Sequence, residues 1–202
     1  MTAPSIHTDL LAYNFNLGGA QFSAPSQNAD SPFPRLSQSL MHELAREGDV
    51  LSAEVILDAG GNIDLPDDEG RRPLHEAAYF GRADMVAFLL DAGALLDAPI
   101  HPFGHTALYF AVQQGHASIV RLLLERGARV SVADRLNGQG LLHMAAARGD
   151  MKLAGLLIAA GVDVFREDNR GQTARDYAAR RNDTALERVL LKVMEHHARY
   201  GA

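Results

Sequence analysis

The interval between equivalent glycines constrains this chain more than any other feature of its sequence. Three glycines that each follow a similar apolar run are separated by 34 residues, at Gly81, Gly115 and Gly149. A second series has intervals of 33, 34 and 34 residues, at Gly60, Gly93, Gly127 and Gly161. A fixed period of this length predicts a stacked array, in which one unit repeats and no unit buries its apolar face alone. Such arrays generally present surfaces, so we expect a binding protein and not an enzyme.

Each period contains two segments with the apolar spacing of a helix. In the second unit, Leu74 and the pair Ala77-Ala78 belong to the first segment, and Val86 and Leu89 belong to the second. Apolar residues with this spacing form one stripe of a 3.6-residue helix. Alanines keep the first helix thin, so adjacent units can approach closely. The glycine after each helix supplies the left-handed backbone that ends it.

The two ends of the chain depart from the repeat. In the fifth unit Arg175 replaces a leucine and Asn182 replaces the closing glycine, and a longer helix is predicted over residues 184–199. A charged residue at a stacking position suits a final unit that faces water. Residues 1–33 are rich in Ser, Pro, Asn and Gln. They form either a disordered tail or an irregular arm that docks on the array, and the sequence leaves both open.

The repeated residues resemble the ankyrin repeat. The strongest matches are the segments 72–78 (Arg-Pro-Leu-His-Glu-Ala-Ala), 104–108 (Gly-His-Thr-Ala-Leu) and 115–123 (Gly-His-Ala-Ser-Ile-Val-Arg-Leu-Leu). The resemblance covers residues from about 36 to 195. It implies an all-α ankyrin-repeat solenoid of four helix-loop-helix units and a C-terminal capping unit, with an irregular N-terminal arm.

The expected boundaries follow from the same register. The extension comprises residues 1–33 and the repeat domain residues 34–202, divided into repeats at about 34–66, 67–100, 101–134 and 135–167 and a cap at 168–202. Two loops depart from the family pattern. The loop 97–104 is rich in proline and one residue longer, and the loop 134–138 leads into a fourth unit without Thr-Pro.

In ankyrin-like proteins the loop tips and the exposed face of the first helix usually bind the partner. By register, we expect the partner-binding residues to be Asp68, Glu69, Arg71, Tyr79, Phe80, Phe103, His105, Gln113, Gln114, Arg135, Leu136, Arg148, Arg170, Arg180 and Arg181.

Tyr79 and Phe80 are the most informative pair among these residues, because the scaffold requires no aromatic residue at either position. Rigid rings bury much area at a low entropic cost, so the pair is a candidate hot spot. The alternative is that the N-terminal arm or the third loop covers both rings. For Phe103 we expect a loop that is held by its own apolar residues. The arginines could bind carboxylates of a partner or could simply be solvated.

No pattern of catalytic or metal-binding residues is present. The chain has no cysteine, and its nine histidines fall mainly at framework or isolated positions. We expect His75 and His143 to bond the backbone of neighbouring turns. His101 and His105 have no carboxylate nearby in sequence, so a zinc site is not expected. We therefore predict no catalytic residues, no metal and no cofactor.

Charge and composition bear on the partner and its location. Residues 1–100 carry 15 acidic and 5 basic residues, whereas residues 101–202 carry 10 and 14. The acidic balance disfavours nucleic acid, and the absence of a long apolar run disfavours the membrane. The lack of a secretory pattern and of cysteine leads us to expect a cytoplasmic protein. We also expect the protein alone to be a monomer. Only two of 19 basic residues are lysines, which suggests a bacterial genome.

These observations leave three hypotheses of function. The first is a non-enzymatic module that binds a protein partner through its concave face and loop tips. The second is an inhibitor or immunity protein, which neutralises a toxin or an enzyme by occluding its active site. The third is a secreted effector that acts in a host cell.

Overall fold

The computed structural model describes the backbone of residues 33–200 and the side chains of residues 40–200. Within this part of the chain there are ten helices and no β-strand, so the predicted all-α class is confirmed. The helices are α1 (Phe33–Glu47), α2 (Val50–Asp58), α3 (Pro73–Tyr79), α4 (Ala83–Asp91), α5 (Ala107–Gln114), α6 (Ala117–Glu125), α7 (Leu141–Arg148), α8 (Met151–Ala159), α9 (Ala174–Arg180) and α10 (Thr184–Tyr200).

The first helix begins at Phe33, one residue before the start of the repeat domain expected from the register. The division of the chain after residue 33 stays a prediction. The predicted arm otherwise lies outside the described residues.

The helices form two rows. The odd-numbered helices α1 to α9 pack side by side in an inner row, α2, α4, α6 and α8 form an outer row, and α10 packs on α9. Neighbouring inner helices make more extensive contact with one another than neighbouring outer helices do. Stacked repeats of this kind form a concave surface, and the side of the inner helices and their loops is here called the concave side.

Small residues make the close approach of the inner helices possible. Ala77 and Ala78 in α3 are fully buried, and so are Ala145 and Ala146 in α7. Larger side chains of the outer helices, such as Leu89, fill the space behind them. Because apolar stripes of successive repeats meet, one continuous core runs along the array.

The loop that precedes each of α3, α5, α7 and α9 forms a short hairpin, here called a finger. In the second repeat the Asp67 N–H donates to the Arg71 carbonyl oxygen at 2.7 Å. The corresponding bond joins Ile100 to His105 in the third finger and links residues 134 and 139 in the fourth. The third and fourth fingers thus each contain one residue more than the second. The extra residue predicted for the third finger is confirmed, and the fourth shares it.

The C-terminal unit closes the array. Leu186 and Leu190 of α10 are buried, and the half-buried side chain of Arg175 forms an ion pair with Glu187 at 3.2 Å. Asn182, which replaces the closing glycine, has a φ of 56° and is the only non-glycine residue with a positive φ in the described chain. Asparagine tolerates this left-handed backbone better than most residues.

Candidate functional site

A groove lies on the concave side between the second and third repeats. Its volume is about 780 Å³. The second and third fingers, the inner helices α3 and α5, and one residue of the fourth finger form its walls. The lining residues are Asp68, Glu69, Arg71, His75, Glu76, Tyr79, Ile100, His101, Phe103, His105, Phe110 and Leu136.

Five rings from two adjacent repeats form what we call the aromatic cluster: Tyr79, Phe80, Phe103, His105 and Phe110. The Tyr79 ring meets Phe80 and Phe110 edge to face, with ring centroids 5.1 and 5.9 Å apart. His105 meets Phe110 edge to face at 5.8 Å and stacks on Phe103 at 5.5 Å. Tyr79 and Phe80 remain 39% and 40% exposed. Loop residues and helix residues that are far apart in sequence therefore form one accessible aromatic surface.

The imidazole of His75 fixes the third finger against α3. Its Nδ1 accepts a hydrogen bond from the Arg72 backbone N–H at 2.9 Å, so Nε2 carries the proton and donates to the Ala98 carbonyl oxygen at 2.8 Å. Burial lowers its pKa to about 4, although the bond to Ala98 opposes this shift. His143 bonds the Gln172 carbonyl oxygen in the same way. The predicted structural role of both histidines is confirmed.

The third finger is held by its own side chains, as predicted for the loop that contains Phe103. Ile100 is buried, and His105 stacks on the Tyr109 ring with a centroid distance of 3.9 Å. No carboxylate is close to His105 in sequence, but the Asp134 carboxylate lies 3.8 Å from its Nε2 in space. The two residues are 29 positions apart, but neighbouring fingers bring them together. Among the described residues no group of three His, Cys, Asp or Glu side chains could hold a metal ion.

Burial and Asp134 change the titration of this finger. Burial lowers the pKa of His105, and the negative charge of Asp134 opposes that effect. Burial and the same charge raise the pKa of Tyr109 to about 12. Both rings are therefore neutral near pH 7.

A buried carboxylate lies at the base of the groove. Glu76 is 1% exposed and forms ion pairs with Arg71 at 3.2 Å and with Arg46 at 3.4 Å. Its Oε2 accepts no hydrogen bond from any described residue. Arg71 also pairs with Glu69, and the Arg46 guanidinium lies over the Phe80 ring, 5.4 Å from its centroid. Glu76 therefore connects the first repeat, the second finger and the aromatic cluster.

Comparison with known families agrees with this architecture. A family model of three ankyrin repeats matches residues 40–134, and a model of a single ankyrin repeat matches residues 137–169. Together they cover more than half of the chain. The chain is an ankyrin-repeat protein. It thus belongs to a family of protein–protein interaction modules, and the suspected resemblance is confirmed.

A relative of this ankyrin-repeat protein is found in fowlpox virus (strain NVSL). This relative is the ankyrin repeat protein FPV240, and it shares 40% sequence identity with the present chain over 63 residues, which are 31% of the chain. The matched region spans only 15% of the length of that relative. The relative is viral, and the bacterial origin of this chain stays a prediction. No helix among the residues described here has the length and apolar character that a bilayer crossing requires.

The groove gathers about half of the residues predicted to bind a partner. Asp68, Glu69, Arg71, Tyr79, Phe103, His105 and Leu136 line it, and Phe80 adjoins it through Tyr79. Leu136 is 69% exposed at the tip of the fourth finger. Gln113 is exposed at the end of α5, and Gln114 beside it is half-buried.

The predicted arginines outside the groove occupy other surfaces. Arg148 and Arg181 each donate to a backbone carbonyl of the preceding repeat, at Gln113 and Ala147. The Arg180 guanidinium lies over the Tyr177 ring, and the exposed side chains of Arg135 and Arg170 lie in fingers. The structure therefore assigns inter-repeat hydrogen bonds to two of these arginines.

Five residues that line the groove were not predicted to bind a partner: His75, Glu76, Ile100, His101 and Phe110. His75 was expected only to bond the backbone of a neighbouring turn. One signal was available for Phe110, since the third unit has Tyr-Phe where the second has His-Glu. No local pattern could have shown that Glu76 is buried between two arginines.

Proposed function

We propose that this ankyrin-repeat protein binds a protein partner through its concave face and finger tips, with the aromatic cluster at the centre of the contact. The observation that carries this proposal is the exposure of Tyr79 and Phe80 at the edge of a groove. Large rings in such positions contribute a major share of the binding energy in many interfaces. The family's general role as an interaction module supports the same conclusion. We propose no catalytic role, because the sequence shows no pattern of catalytic residues and the buried titratable groups of the groove, His75 and Glu76, are held in structural contacts.

Replacement of Tyr79 and Phe80 together by Ala tests this proposal. The partner is first identified by co-purification from the native cells and mass spectrometry. We expect the double variant to lose about 2 kcal/mol or more of binding free energy, measured by calorimetry. Phe165, an exposed aromatic residue outside the groove, provides the matched control Phe165→Ala. Unchanged affinity in a double variant whose circular dichroism and melting are intact would reject the site.

A narrower role as an inhibitor or immunity protein has one observation in its favour. The groove carries Asp68 and Glu69 at its edge, and the N-terminal half of the chain is acidic. Such a surface complements a basic active site. Addition of this protein should then inhibit the activity of the identified partner, and the inhibition should decrease as the salt concentration rises. A partner without activity, or activity that persists in the saturated complex, would exclude this role.

The cellular location remains part of the proposal. We place the protein in the cytoplasm as a monomer, and the alternative is a secreted effector that acts in a host cell. Fractionation of the native culture separates the two, because an effector would appear in the medium or in host cells.

A further inference from the structure

Three features of the groove bear on which side chain of a partner it accepts: its rings, its charges and one buried carboxylate oxygen. Tyr79, Phe103 and Phe110 provide aromatic surface. The face of an aromatic ring attracts a cation within about 6 Å of its centroid. The chain already uses this interaction beside the groove, where Arg46 lies over Phe80. An aromatic wall of this kind is compatible with either an apolar or a cationic side chain. The charged groups of the lining therefore determine which of the two the groove favours.

The lining of the groove is acidic. Asp68, Glu69 and Glu76 contribute three carboxylates, and Arg71 contributes the one guanidinium in the lining. Arg71 is held by Glu69 and Glu76, so its charge is compensated within the wall. Glu76 is also paired with Arg46, so the three carboxylates and the two guanidinium groups together carry a net charge of −1. An anionic side chain would therefore meet a small excess of negative charge in the groove.

Two of the three histidines in the lining, His75 and His105, do not reverse this sign. Burial lowers the pKa of both His75 and His105. These two rings are neutral near pH 7 and contribute aromatic surface without positive charge. The attraction of the groove for a cation therefore persists at neutral pH.

The third feature is the buried carboxylate of Glu76. Its Oε2 is closed to water and accepts no hydrogen bond from the described residues, and its ion-pair partner Arg46 Nε lies 3.4 Å away, so it contributes charge to the wall. The exposed carboxylates of Asp68 and Glu69 distinguish a cation from an apolar occupant, because an apolar side chain that filled the groove would remove water from them, which is costly. A guanidinium offers five N–H donors in a plane that also stacks on aromatic rings, and its aliphatic stem can pack on Ile100 and Leu136.

We propose that the groove binds an arginine side chain from an exposed segment of the protein partner, with the guanidinium between the aromatic cluster and the carboxylates of the second repeat. This proposal rests on the proposed function, because it assigns chemistry to the same surface. It identifies the partner as one that presents a basic segment. Tyr79 would then contribute to the recognition of a cation, in addition to the general aromatic packing described above.

The direct test uses small probes and the full chain. Nuclear magnetic resonance titration with N-acetyl-arginine-N-methylamide should shift the ring signals of Tyr79 and Phe110 and the carboxyl signal of Glu76. The citrulline analogue has nearly the same shape but no charge, and it should bind roughly tenfold more weakly. Equal binding of citrulline, tighter binding of N-acetyl-phenylalanine-N-methylamide, or no shift at these residues would overturn the proposal. Tighter binding of the lysine analogue would also overturn it.

Variants separate the groove from non-specific charge. Asp68→Asn should weaken binding of the arginine probe several-fold, since it removes one exposed negative charge with little change of shape and leaves the pair of Glu69 with Arg71 intact. Glu125→Gln makes the same kind of change on the exposed surface of α6 and should leave the affinity unaltered. Equal weakening in both variants would show a general charge effect and would contradict the proposal.

The two proposals fail differently. If Tyr79→Ala with Phe80→Ala abolishes partner binding while the arginine probe gives no shift, the concave surface is the binding site and the arginine assignment is wrong. If the probe binds but the partner binds the double variant with unchanged affinity, the groove recognises arginine and the proposed partner site is wrong.

Discussion

The His75 imidazole couples the stability of the fold to pH. In the folded chain its pKa is about 4, mainly because it is buried, with a smaller and opposite effect from the bond to Ala98. In the unfolded chain an ordinary histidine has a pKa of about 6.5. Between these two values the unfolded chain binds the proton and the folded chain does not. His75 therefore favours the folded state fully above pH 6.5, and this contribution is lost as the pH falls toward 4.

We expect this single group to remove about 3 kcal/mol of the unfolding free energy between pH 7 and pH 4. Urea denaturation at several pH values measures the loss. His75→Gln cannot titrate, and its free energy of unfolding should fall less steeply over the same interval, even if the variant is less stable at pH 7. Identical slopes for the variant and the unchanged chain would show that His75 is not the group that titrates.

At the scale of the elements, side chains from one repeat hold the helix ends of the repeat before it. His116 Nε2 donates to the Tyr79 carbonyl oxygen at 3.0 Å, and Arg82, Arg148 and Arg181 make equivalent bonds to Arg46, Gln113 and Ala147. These side chains cross the glycines that end the inner helices. Each glycine is then needed for two reasons. It adopts a left-handed backbone, and its lack of a side chain leaves room for the side chain that crosses it from the next repeat.

Substitution of two glycines can separate these reasons. Gly81 has a φ of +77°, and a Cβ there would lie 2.8 Å from His116 Cε1. Gly93 has a φ of +92°, and a Cβ there would meet nothing within 4 Å. Gly93→Ala should therefore lose about 1 to 2 kcal/mol of unfolding free energy from backbone strain alone, and Gly81→Ala should lose more.

Urea denaturation of both variants checks this order. A helical control is Gly155→Ala in α8, where a Cβ also has open space. We expect that change to be neutral or to stabilise the chain by up to about 1 kcal/mol, because alanine favours a helix. Equal losses for Gly81→Ala and Gly93→Ala would mean that the crossing of His116 contributes nothing.

At the scale of the whole molecule, the array transmits stability only between neighbours. Each inner helix packs against the inner helices on its two sides, and α10 packs against α9 at the C-terminal end. An array of this kind can lose its terminal unit while the centre remains folded. The position of a core defect along the array should then decide how much of the molecule it affects.

Two leucines that are fully buried provide a matched comparison, Leu123 in the central helix α6 and Leu186 in the terminal helix α10. Each change to Ala should cost about 2 to 5 kcal/mol locally. In hydrogen exchange, Leu186→Ala should reduce protection mainly in α9 and α10, whereas Leu123→Ala should reduce it in the repeats on both sides of α6. Uniform loss of protection in both variants would show that the array unfolds as one cooperative unit.

The sequence by itself determined the repeating part of this protein. The period, the alanines of the inner helices and the closing glycines predict the helix pairs, because each repeat satisfies the same local requirements. The same register predicted that Tyr79 and Phe80 are exposed, and both are, whereas Phe103 and His105 are half-buried. It also predicted the bonds of His75 and His143, since framework side chains make the same contact in each repeat.

Only the tertiary structure decided what the variable positions form together. Stacking brings residues about 30 positions apart into contact, such as Arg46 with Glu76 and His105 with Asp134. The start of α1 at Phe33 and the extra residue of the fourth finger also required coordinates. The period fixes where each side chain lies within its own repeat. Which side chains meet across a boundary between repeats depends on packing distances that no local pattern contains.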